Sequence, residues 1–68
     1  MVSKRSIKLS GHATSISLED EFWDELKRIA ADNGQSMAAL VEMVDETREG
    51  NLSSALRLYV LKSIKEAH

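Results

Sequence analysis

Lys4, Arg5 and Lys8 lie in a stretch, residues 1–18, that contains no acid. Ammonium and guanidinium groups neutralise phosphate, so such a run is either a polyanion contact or a solvated tail that aids solubility. The remaining polar residues suggest no reaction. His12 has no Ser, Cys or Asp beside it in a recognisable arrangement, and a turn or strand-start position suits it better than a general base. His68 ends the chain and carries no reading. There is no cysteine. The ten acids of residues 19–49 are spaced as helix surface charges, without the clustering that metal ligands need. Phe22 and Trp23 fall at helical core spacing, which favours core or dimer contacts over a stacking platform for bases. Ser36 reads first as a plain helix cap. With no nucleophile–base pair, phosphate loop or metal set in 68 residues, neither an enzyme nor a cofactor is expected.

The element that must carry the basic run is short. Ala13-Thr14-Ser15-Ile16-Ser17-Leu18 alternates at the strand period, with Thr14, Ile16 and Leu18 on one face and Ala13, Ser15 and Ser17 on the other. Everything after it reads as helix, so its strand partner is either the N-terminal segment or the same strand of a second copy. Residues 1–11 are expected to be a basic arm, with an extra strand as the alternative. Ile7 and Leu9 alternate weakly with Ser6, Lys8 and Ser10, and Ser10-Gly11-His12 would be the turn of a hairpin.

Three helices are expected after the ribbon strand at residues 12–18, at residues 19–33, 36–48 and 52–66. Ser17 and Asp20 have capping-box spacing, and Glu19, Asp20 and Glu21 suit the positive end of the first helix dipole. Phe22, Trp23, Leu26, Ile29 and Ala30 form its apolar face. Asp24 is placed to pair with Lys27 or Arg28. Asn33-Gly34 supplies the stop, and Ser36 caps a second helix with Met37, Leu40, Val41 and Val44 on one side. Asn51 or Ser53 caps the third. Its stripe of Leu52, Ala55, Leu56, Tyr59, Val60 and Ile64 is widened by Leu58 and Leu61, so this helix is expected to be sandwiched, in one core or between subunits.

The chain is expected to be one domain, residues 1–68. A 43 % hydrophobic content argues against disorder. A chain this short without disulfide or metal staples has oligomerisation left as its route to stability. Net charge is −2, but it is unevenly spread: a basic start, an acidic middle and a mildly basic end. No apolar run is long enough for a membrane span, and the basic N-terminus is not followed by the apolar run of a signal peptide. A cytoplasmic protein with no membrane association is expected.

The order strand, helix, Gly-x-Ser turn, helix resembles the ribbon-helix-helix family. The resemblance is carried by the strand ending at Leu18, Phe22 and Leu26, the Ile29-Ala30 step, Gly34 and Ser36. It extends over nearly the whole chain to a group of short bacterial members, through Lys-Arg-Ser, Gly-His, Thr-Ser-Ile-Ser-Leu-Glu, Phe-Trp and Asn-Leu-Ser-Ser-Ala. It implies a mainly α fold in which the strands of two chains pair in an intertwined dimer, with two core helices and an extra C-terminal helix. It also implies DNA binding through the major groove. Ala13, Ser15 and Ser17 would then face base edges, and Ser36, Met37 and Ala38 would hold a phosphate on free N–H groups. Two serines and an alanine are short where family ribbons carry long polar side chains, which allows close approach but weak base discrimination.

The expected function is a homodimeric DNA-binding protein, a small transcriptional regulator or antitoxin-like repressor. Lys4, Arg5, Lys8, Ala13, Ser15, Ser17, Ser36 and Met37 are its expected contacts. The expected partners are DNA, a second copy or higher even oligomer, and a protein partner. The alternative is a dimeric protein-interaction module that keeps the fold without reading DNA. A plain helix-turn-helix with the third helix as reader is allowed by Arg57, Lys62 and Lys65, but the broad apolar stripe of that helix opposes it.

Overall fold

The computed structural model describes residues 1–48 and 50–66; Glu49, one of the ten acids, and His68 lie outside it. Strands β1 (Val2–Leu9) and β2 (His12–Glu19) form an antiparallel hairpin, followed by helices α1 (Asp20–Asp32), α2 (Met37–Thr47) and α3 (Leu52–Glu66). The expected N-terminal arm is therefore a full strand, and the partner of β2 within the chain is β1. Ser10 and Gly11 make the two-residue turn, with φ of 49° and 83°. Positive φ at both positions is the signature of a type I′ turn, whose twist matches that of the strands it joins.

Two-residue loops close on a hydrogen-bonded pair, here Leu9 and His12. Alternation down the register makes Ile7/Thr14, Arg5/Ile16 and Ser3/Leu18 the other bonded pairs. The bond from Asp20 N–H to the Met1 carbonyl, 3.0 Å, continues the series. Main-chain groups of Ala13, Ser15 and Ser17 consequently point away from β1, along an edge of β2 that pairs with no other strand among the described residues.

One hairpin face supplies Leu9, Ile16 and Leu18 to the core, with Ile7 packed beside them. The helices cover that face with Leu26, Ile29 and Ala30 from α1, Leu40, Val41 and Val44 from α2, and Leu56 and Val60 from α3. Phe22, Trp23, Met37, Leu52, Ala55 and Tyr59 pack around this centre, partly buried. α3 is thus half used. Its Leu58 and Leu61 remain 56 % and 49 % exposed, so the sandwiching expected for this helix does not occur within the single chain.

Local signals account for the helix ends. α1 stops in a Schellman pattern, Gly34 N–H to the Ala31 carbonyl (3.1 Å) and Gln35 N–H to the Ala30 carbonyl (2.8 Å). Gly34 takes the required left-handed φ of 67°. Ser36 Oγ accepts from Ala39 N–H at the start of α2, and Asn51 Oδ1 accepts from Ser54 N–H at the start of α3. Two local expectations fail. The residue before α1 is Glu19, with no side-chain cap, because Ser17 is still extended strand and the Asp20 carboxylate is engaged by β1. Arg28 pairs with Glu25, three residues before it, and Asp32, four residues after it, instead of Asp24.

Candidate nucleic-acid interface

Strand alternation divides the hairpin's polar residues between two environments. Lys4, Ser6 and Lys8 of β1 lie opposite Ser17, Ser15 and Ala13 of β2, and all six are exposed. These are the non-hydrogen-bonded pairs, whose side chains stand closest across an antiparallel ladder. The outer face is therefore a compact field of hydroxyl and methyl groups flanked by two ammonium groups. From Ser3 to Leu18 the hairpin contains no carboxylate.

Arg5 lies on the opposite face. Its guanidinium stacks over the Trp23 ring at 4.7 Å from the centroid, and Nη2 meets Asp20 Oδ1 at 3.2 Å. Ser3 Oγ donates to the same carboxylate oxygen at 2.8 Å. The Ser3 hydroxyl and then the Arg5 guanidinium stabilise the charged form of Asp20, and its pKa falls below its ordinary value. The structure thus joins five of the expected contacts, Lys4, Lys8, Ala13, Ser15 and Ser17, and separates Arg5 from them. Ser6 lies on the outer face between the two lysines. Its parity with Lys4 and Lys8 was the available signal, and it counts only once β1 is a strand.

Ser36 and Met37 occupy a different place. Ser36 is exposed with its hydroxyl engaged in capping, and Met37 packs against the core. The first N–H groups of α2 have no intrahelical partner, as at any helix start, and no acid lies in its first turn. Among the described residues, no side-chain hydrogen bond or ion pair links Ser36 or Met37 to the outer face of the hairpin.

The lower end of β2 is held by α3. Arg57 of α3 grips Glu19 through two bonds, Nε to Oε1 at 2.7 Å and Nη2 to Oε2 at 3.3 Å. That fork keeps the Glu19 carboxyl below its ordinary pKa. It also engages one of the three basic residues that a reading role for α3 would need. Among the described residues, no group of three or more His, Cys, Asp or Glu is arranged to hold a metal ion, and no helix is long and apolar enough to cross a membrane.

A hairpin with a bare outer edge, followed by two helices with a glycine stop between them, defines a class. The chain belongs to the ribbon-helix-helix domain family, whose pattern matches residues 2–64. Members of this family are typically DNA-binding regulators. Among solved structures, the chain is similar to an uncharacterized protein from Bordetella pertussis Tohama I, at 36 % identity and a TM-score of 0.79. That similarity covers 98 % of this chain and 59 % of the other, so the chain spans little more than half the length of the protein it resembles. Among curated proteins, none matches.

Proposed function

We propose that the chain is a homodimeric DNA-binding protein, a small cytoplasmic transcriptional regulator or antitoxin-like repressor, that presents the outer hairpin face to the duplex. One observation carries this reading. Between Ser3 and Leu18 the outer face, with Lys4 and Lys8, carries no carboxylate, and it adjoins an edge of β2 that is unpaired among the described residues. A second copy pairing antiparallel along that edge satisfies the exposed main-chain groups and doubles the basic surface. The N-terminus of α2, at Ser36 and Met37, serves as a phosphate contact beside the ribbon.

The test is a titration of labelled duplex at low and near-physiological salt, with sedimentation to establish the dimer. Wild type binds and weakens with salt; Lys4→Ala with Lys8→Ala binds poorly at both concentrations. A protein that stays monomeric at micromolar concentration refutes the ribbon pairing. A dimer that ignores DNA even at low salt favours the alternative, an interaction module that keeps the fold. The exposed Leu58 and Leu61 on α3 support that second reading.

A further inference from the structure

The lysines of this hairpin lie on β1, while the open edge belongs to β2. Pairing two copies through that edge gives the strand order β1-β2-β2-β1, with the lysine strands outermost. Neighbouring strands are about 4.8 Å apart, so the two outer strands are separated by roughly 14 Å. The major groove is about 12 Å wide and admits a two-stranded ribbon. A four-stranded sheet is therefore too broad to enter it and sits across its mouth.

We infer that this protein holds duplex DNA by its phosphates, with the Lys4 and Lys8 rows of two copies straddling the two backbones of one major groove, and reads little or no base sequence. This rests on the dimeric DNA-binding reading above. The lysine rows of the paired copies lie roughly 14 Å apart, close to the groove's width of about 12 Å. The strands over the groove carry Ala13, Ser15 and Ser17, which are too short to bridge from the groove mouth to base edges. Arg5, the side chain on the hairpin best suited to bidentate contact with guanine, is held on the other face by Trp23 and Asp20.

Two measurements on the full chain test this. The first is selection from a randomised duplex pool, followed by affinity measurement on several unrelated duplexes. Affinities within tenfold of one another, with no motif enriched, are expected. Base reading would separate sequences by roughly five- to hundredfold per base pair. The second is the salt dependence of binding. Four lysines per dimer correspond to a log–log slope of about −3.6 on duplex DNA. Lys4→Ala with Lys8→Ala should remove most of that slope, and Lys27→Ala, an exposed lysine on α1 away from the hairpin, should leave it unchanged. Circular dichroism confirms that these surface variants fold. An enriched motif whose recognition fails in Ser15→Ala overturns the inference while leaving DNA binding intact. A slope that survives loss of both lysines also overturns it. Failure of every duplex to bind at low salt overturns the DNA-binding reading itself, and this inference with it.

Discussion

Ser17 and Leu18 are adjacent in β2 and face opposite ways, so the same truncation at each isolates what one hairpin face contributes. Leu18 is fully buried among residues of the sheet and all three helices. Leu18→Ala removes buried apolar surface and leaves a space that a core of eleven buried side chains among the described residues has few ways to refill. Substitutions of this kind cost about 2–5 kcal/mol. A domain of this length has a total stability of roughly 3–10 kcal/mol. Ser17→Ala removes an exposed hydroxyl and should stay within about 0.5 kcal/mol. In urea, with a slope of about 1 kcal/mol per molar for so small a protein, Leu18→Ala should lower the midpoint by roughly 2–5 M, and in buffer it should leave part of the population unfolded. Ser17→Ala should shift the midpoint by no more than about half a molar. Both proteins are measured at one concentration, because the proposed pairing of copies would make the midpoint concentration-dependent. Equal shifts in the two variants would mean that the hairpin is not seated on the helices in this register, and the assignment of an outer face would fail with it.

Arg5→Ala should leave the salt dependence of DNA binding unchanged while shifting Trp23 fluorescence to longer wavelength, because it uncovers the indole and removes no outward charge. A slope that falls as it does for Lys4→Ala would refute the division between the faces. Glu19 and Asp20 both have depressed pKa values, so their contribution is present above the unfolded carboxylate range and fades as pH falls through the lower folded values. Near-ultraviolet circular dichroism followed below about pH 4 should show the hairpin loosening in wild type. An acid limb identical in Glu19→Gln with Asp20→Asn would count against this cause.

The sequence announces the second strand far better than the first. Thr14, Ile16 and Leu18 give β2 an uninterrupted inward face, but β1 places Ser3 and Arg5 at inward positions, where an apolar pattern would have revealed it. Arg5 is tolerated there because Trp23 and Asp20, eighteen and fifteen positions away, receive its cation, and no local rule connects them. The false cap at Ser17 has a similar origin. Ser-x-x-Asp spacing is the same whether the serine is at a helix start or in a strand, and only the reach of Ser3 to Asp20 decides between them. Helix stops were easier because Gly34 and the caps at Ser36 and Asn51 act within a few residues. Of the candidate site, the outward residues of β2 follow from period-two alternation, whereas their grouping with Lys4 and Lys8 depends on the hairpin register.

The bare edge of β2 also bears on fidelity. Main-chain donors and acceptors are the same in every polypeptide, so on the proposed pairing an edge made of them would accept a sister strand from a paralogous chain as readily as an identical one. Ala13, Ser15 and Ser17, the residues along that edge, bring neither bulk nor charge with which to reject a mismatch. In a cell expressing several chains of this family, insulation between such pairs would therefore fall to surfaces away from the ribbon.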